Sequence, residues 1–252
     1  MNQSGRKKIV IIGATSAIAE QCARLWVERT AADVVLVGRD ATRLERVAND
    51  LRVRSPQSTI TTLTTDFIAP PSVQRVVDDI VATGTVDTVL IAHGSLLDQA
   101  ACQDSLQLCS DALMVNGVSP VLFAEAFAGH MQQNDKGSLG IIGSVAGDRG
   151  RKSNYVYGAA KGLITRYAQG LQHRLAKTNV KVTLIKPGPT DTPMTAHLKG
   201  AGAKLAGADI VAQHIVRGMD KGASVIYAPA KWALIMMVIR HLPSVVFNRM
   251  DI

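Results

Sequence analysis

Aromatic side chains are scarce in this chain. Phe, Tyr and Trp together make up 4% of its 252 residues, so nucleic-acid binding by base stacking has little to work with. Cysteine is scarcer. Cys22, Cys102 and Cys109 are an odd, scattered set without Cys-x-x-Cys spacing, which argues against a disulfide framework or a cysteine zinc site. They read as small buried hydrophobes in a reducing compartment. The six histidines form no ligand cluster, and no metal is expected. Charged residues are also few, 19% against the usual quarter. No uninterrupted apolar run reaches the roughly eighteen residues that a membrane-spanning helix needs. The polar start Met1-Asn2-Gln3-Ser4-Gly5-Arg6-Lys7-Lys8 lacks the character of a signal peptide.

What is present is a large apolar content, 47%, and a net charge of +8 from 28 basic and 20 acidic residues. The first supplies a core for one α/β domain. The second points to anionic partners: a phosphorylated cofactor, a phosphate-bearing substrate, an anionic membrane surface or nucleic acid. The basic residues are dispersed and the aromatics few, which disfavours nucleic acid.

Short apolar runs alternate with helical spacing along the whole chain. Lys8–Ile12, Asp33–Val37, Val86–Ile91, Ser138–Ile142 and Val180–Lys186 read as buried parallel strands, with Thr59–Leu63 and Ser224–Tyr227 beside them. Helical stretches lie between, including one long helix or two from about Asp104 to Gln133 and another from Asn154 to Ala176. Strand and helix in alternation, with short connections, predict an α/β doubly wound parallel sheet covered on both faces. No linker, repeat or low-complexity segment divides the chain, so residues 1–252 read as one domain with an apolar, basic segment from about 229 to 252.

In such a sheet ligands bind beyond the carboxyl ends of the strands. The first strand ends in Gly13-Ala14-Thr15-Ser16-Ala17-Ile18-Ala19. Gly13 makes the tight turn, and Thr15, Ser16 and Ile18 lie where a helix presents free N–H groups to a phosphate. Ala17 and Ala19 stand where the dinucleotide fingerprint has glycines. The second strand ends in Gly38-Arg39: a small residue leaves room for a 2′-phosphate and Arg39 supplies a cation, which favours NADP(H) over NAD(H). Asp66 could accept from an adenine amino group or cap a helix. Gly94 permits close approach, with His93 as a polar wall. Pro187-Gly188-Pro189-Thr190-Asp191-Thr192 is rigid and suits the nicotinamide side of a pocket, through Pro187, Gly188, Thr190 and Thr192.

Tyr157 precedes Lys161 by four residues and follows Ser144 by thirteen. On a helix the phenol and ammonium share a face. A fixed positive charge should lower the tyrosine pKa and fit it for proton transfer, and the serine hydroxyl can bond the same substrate oxygen.

Taken together, these motifs resemble the short-chain dehydrogenase/reductase family across nearly the whole chain. The resemblance implies a catalytic set in which Tyr157 donates a proton to a carbonyl, Lys161 lowers its pKa and binds the nicotinamide ribose, Ser144 orients the carbonyl, and Asn116 holds a proton-relay water. It also implies a homodimer or homotetramer built through two long helices. The asparagine usual near Ala92 is absent, so that loop must be supported differently.

Two segments bear on the substrate. The loop from Ser144 to Tyr157 carries Arg149, Arg151 and Lys152, cations that suit a substrate phosphate. The tail from Lys231 to Arg249 is apolar but broken by Arg240, His241 and Pro243. It could lie in a membrane interface, cover the substrate or meet another subunit. Both segments resemble the branch of the family that reduces decaprenylphosphoryl-2-keto-pentose, whose substrate class joins a keto sugar, a phosphate and a polyprenyl tail. The expectation is a cytoplasmic NADPH-dependent ketone reductase acting on a small or lipid-linked anionic ketone, with peripheral contact at the inner face of the membrane. The alternatives are a reductase of a 3-oxoacyl thioester or soluble sugar, and a non-catalytic NADP(H)-binding regulator.

Overall fold

The first two strands bury nearly every side chain, which an isolated half-exposed strand would not do. In a computed structural model, which describes residues 5–196, 200 and 204–250, β1 (Lys7–Ile12) and β2 (Ala32–Gly38) lie inside a parallel sheet with helices on both faces. The remaining main strands are β3 (Thr59–Thr64), β4 (Thr88–Ile91), β5 (Gly137–Ile142), β6 (Val180–Pro187) and β9 (Val225–Ala228). A small separate ladder pairs β7 (Thr190–Asp191) with β8 (Ala206–Gly207).

The seven strands run in the order β3-β2-β1-β4-β5-β6-β9, all parallel. The chain winds outward from β1 to β3, crosses back, and winds the other way from β4. Its direction reverses between β1 and β4, so a crevice opens at their carboxyl ends.

One face is covered by α1 (Ala17–Arg29), α2 (Ala41–Arg54) and α8 (Ala208–Asp220), whose buried residues include Trp26, Leu44, Leu51 and Ile215. The other is covered by α3 (Pro70–Ala82), α6 (Ser119–Gln133) and α7 (Tyr155–Arg174), with Val77, Phe123, Phe127 and Ile164 inside. The short α4 (Gln99–Asp104) and α5 (Leu106–Leu113) precede α6.

The stretch expected to be one helix or two is continuous from Leu106 to Gln133 but contains a wide π-turn, Met114–Val118. By length and composition it could cross a membrane, yet half of its most apolar window is buried in the fold. The chain closes with α9 (Lys231–His241) and α10 (Ser244–Phe247).

Candidate active site

A cleft of about 780 Å³ lies over the crevice between β1 and β4. Its floor depends on Gly13, which has φ +81° and faces the next turn so closely that a Cβ there would meet the His93 backbone nitrogen at 2.6 Å. Only glycine meets both conditions. Thr15, Ser16 and Ile18 line the same end, at the N-terminus of α1. Ser16 caps that helix with no side-chain hydrogen bond, so its hydroxyl is not spent on the cap. Ala17 also lines the cleft, and Ala19 is fully buried behind it.

Arg39 lines the cleft after β2 and is joined there by Arg43 and Arg46. Sequence reading missed the second and third, although spacings of four and three residues put them on one face of α2. Asp40 lines the cleft as well, and its carboxylate accepts from Arg43 N at 3.0 Å and caps α2. Asp66, expected near adenine, is outside the cleft lining. It is exposed and accepts from Ile68 N at 2.7 Å, shaping the turn into α3.

The β4 turn brings Gly94 to the cleft, where a Cβ would meet Asn116 Oδ1 at 2.8 Å. Asn116 is fully buried in the π-turn. Its Oδ1 accepts from Ser95 N at 2.8 Å and its Nδ2 donates to Ala112 O at 2.9 Å. Its side chain therefore supplies the loop support for which the sequence around Ala92 gave no candidate. It does not line the cleft.

His93 forms part of the wall, edge-on to Phe67 at 4.7 Å and Phe123 at 5.6 Å. Burial, with the positive charges of Lys161 and Arg39, lowers its pKa to about 3, so it is neutral. Ser119 Oγ donates its single proton to Phe67 O, so His93 Nε2, 2.8 Å from Ser119 Oγ, must donate to it.

The catalytic candidates meet at the other end. Ser144 follows β5, is buried, and accepts from Ala146 N at 3.1 Å. It lines the cleft with Tyr157, and its hydroxyl favours the ionised form of that tyrosine. Lys161 lies one helical turn on, 5.6 Å from the centre of the Tyr157 ring, with Nζ donating to Ile142 O at 3.1 Å. The electrostatics differ from expectation. Burial pushes Tyr157 up to about 12, opposed by the Ser144 hydroxyl, and burial lowers Lys161 to about 8. Loss of hydration outweighs the attraction that was expected to lower the tyrosine.

Pro187, Gly188, Thr190 and Thr192 complete this end of the cleft. Thr190 Oγ1 donates to Gly188 O at 2.9 Å and stiffens the turn. The indole of Trp232, from α9, packs against that turn; a Cβ on Gly188 would fall 1.9 Å from its Nε1. Chain order gave no sign of this contact.

The three cations of the loop separate. Arg151 lines the cleft, with Nη2 3.5 Å from Met236 Sδ and a buried Nε that has no hydrogen-bond partner. Arg149 turns away. Its Nη1 donates to Ile239 O and Leu242 O, each at 2.6 Å, and its guanidinium stacks on Phe247 at 3.8 Å. It holds the end of α9 and is not placed to meet a substrate phosphate. Lys152 is exposed and outside the cleft lining. Among the described residues, no group of three or more His, Cys, Asp or Glu could hold a metal.

A model of the short chain dehydrogenase family matches residues 7–201. An uncharacterized oxidoreductase of Mycobacterium tuberculosis is 31% identical, over 99% of each chain. One of Streptomyces coelicolor is 29% identical, over 97% of this chain and 96% of its own. Among solved structures, a short-chain dehydrogenase from Sphingobium yanoikuyae in complex with NADPH has a TM-score of 0.82 at 22% identity, over 97% of this chain and 96% of that one. A variant of actinorhodin polyketide ketoreductase with NADPH scores 0.81 at 20% identity, over 91% and 99%. These two share the fold. On the family match and the near full-length relatives, the chain belongs to the short-chain dehydrogenase family of oxidoreductases.

Proposed function

We propose that the protein is an NADPH-dependent reductase that converts a ketone to an alcohol. The observation that carries this reading is the gathering of Ser144, Tyr157 and Lys161 at one end of a cleft, with the ammonium 5.6 Å from the centre of the tyrosine ring, while the other end holds three arginines. The cleft suits the cofactor. Gly13 lets the turn after β1 pack closely against the His93 turn and shape the floor, the start of α1 suits a pyrophosphate, and Arg39, Arg43 and Arg46 suit a 2′-phosphate. Lys161 would hold the nicotinamide ribose, and Gly94, Pro187, Gly188, Thr190 and Thr192 would pack around the ring.

NADPH held there would supply a hydride to the carbonyl carbon and become NADP⁺. Ser144 binds the carbonyl oxygen and fixes its direction. Tyr157 gives that oxygen its phenolic proton, so the product is the neutral alcohol. A phenol held near 12 is protonated at neutral pH and ready to act as the acid.

For the substrate, we propose an anionic, lipid-linked keto sugar of the polyprenylphosphoryl class. Arg151 supports the anion, since it is the one cation of its loop that reaches the cleft. The tail supports the lipid: Leu234, Met237, Val238, Val245 and Val246 are each 47% to 68% exposed on α9 and α10. Lys231, Arg240 and Arg249 flank them, with no Asp or Glu from 229 to 250. Such a face suits an anionic membrane surface, where the lipid substrate would be found. A homodimer or homotetramer through the outer faces of α6 and α7 belongs to the same reading.

The test is NADPH oxidation with a polyprenylphosphoryl keto-pentose against 3-oxoacyl thioesters and soluble keto sugars. The lipid-linked ketone should give the highest kcat/KM, and Arg151→Ala should lower it for phosphorylated ketones but not for neutral ones. Equal loss on both would remove the anion assignment.

A further inference from the structure

The turn after Ser144 ends on a buried charge that the proposed chemistry does not use. Asp148 and Lys186 form an ion pair with side chains 2% and 5% exposed. The second Asp148 oxygen accepts from the Tyr227 hydroxyl at 2.8 Å. Tyr227 is the neighbour of Lys186 across the β6–β9 ladder, and its ring centre lies 5.5 Å from the ammonium. The positive charge of Arg240, from α9, acts on the same hydroxyl.

This network joins two working parts. Asp148 closes the short 3₁₀ turn Val145–Gly147, which Ser144 caps. Within that turn Gly147 lies hard against α7: a Cβ there would meet the Lys161 carbonyl carbon and oxygen at 2.6 Å. Lys186 directly precedes Pro187 and Gly188. The ion pair thus ties the serine turn, at the end of β5, to the turn at the end of β6.

Stability alone does not call for such a pair. Two buried charges lose their hydration, and an apolar pair of similar volume often serves as well or better. An ion pair adds direction, because its hydrogen bonds hold two groups at set distance and angle.

We propose that Asp148 is a positioning residue: through Lys186 and Tyr227 it fixes the serine turn relative to the Pro187-Gly188 turn, and so the carbonyl site relative to the nicotinamide. The proposal rests on NADPH occupying the cleft as described above.

The test uses NADPH as ligand and reads the emission and anisotropy of its bound nicotinamide. Asp148→Asn alone strands the Lys186 ammonium and lowers the melting temperature. Adding Lys186→Met removes both charges and restores most of that loss. The double variant should bind NADPH with unchanged Kd, since the phosphate contacts lie elsewhere, but its nicotinamide emission and anisotropy should fall towards those of free cofactor. Its hydride transfer should slow by about tenfold or more, as expected when reacting groups are misplaced. Tyr227→Phe removes one hydroxyl only and should show the same optical change in smaller degree. Full emission in the folded double variant overturns the proposal; if that variant does not fold, full emission in Tyr227→Phe overturns it. Failure of the unaltered chain to bind NADPH would sink the cofactor reading, and this one with it.

Discussion

At Tyr157 two influences compete. Burial disfavours the phenolate, and Lys161 nearby should favour it; in the structure burial prevails and the tyrosine stays protonated, at about 12. Replacing it with Phe keeps the ring and removes the proton. Tyr157→Phe should lower turnover by about 10² to 10⁴-fold, the usual worth of a positioned acid, with NADPH affinity near normal. Retained turnover in that variant would remove Tyr157 as the acid. Lys161 gives a second prediction. Its pKa, lowered to about 8 by burial, puts loss of its charge within reach of an assay. The kcat/KM for reduction should fall as pH rises through about 8, because that ratio reports the free enzyme. Stability should move the other way. Unfolded lysine keeps its proton to higher pH than the folded one, so over that interval the unfolded state binds more protons and stability rises with pH. A kcat/KM profile flat to pH 10 or so would overturn the assignment.

At the scale of elements, the cofactor reading turns on α2. Arg39 leaves β2, and Arg43 and Arg46 follow on the helix face that borders the cleft. Arg39→Ala should weaken NADPH by about 1.5 to 3 kcal/mol, a factor of about ten to a hundred, and leave NADH nearly unchanged. Equal loss for both, measured by titration, would remove the 2′-phosphate site. What the sequence made legible follows from chain distance. Gly13, Arg39, Gly94, Ser144 and Gly188 each follow a strand, and a parallel sheet carries all strand ends to one edge; Tyr157 and Lys161 need only one helix. Asp66 was ambiguous because a carboxylate before a helix can bind a ligand or shape a turn with equal ease. Arg149 could not be read correctly. Its partners, Ile239 and Leu242, lie 90 and 93 residues away, and nothing local distinguishes it from Arg151. Asn116 was legible as a residue in a helix, but its bond to Ser95 depends on the extra width of the π-turn.

For the whole molecule, a net charge of +8 and an apolar tail ringed by cations make one prediction. Leu234→Ser, Val238→Ser and Val245→Ser together should abolish flotation with phosphatidylglycerol vesicles and leave the melting temperature unchanged, because all three side chains are more than half exposed. Undiminished flotation, or none by the unaltered chain, would rule out this face as a membrane contact. Truncation would be a poorer test, since α9 also carries Met236, which is fully buried, and the Trp232 contact at Gly188. That contact has an optical consequence. The chain has two tryptophans. Trp26 is buried in the core under α1, and Trp232 lies against the turn assigned to the nicotinamide. Indole emits where reduced nicotinamide absorbs. Trp26→Phe would leave a single donor at the cleft, and loss of its light would follow each reduced cofactor in and out without any added label.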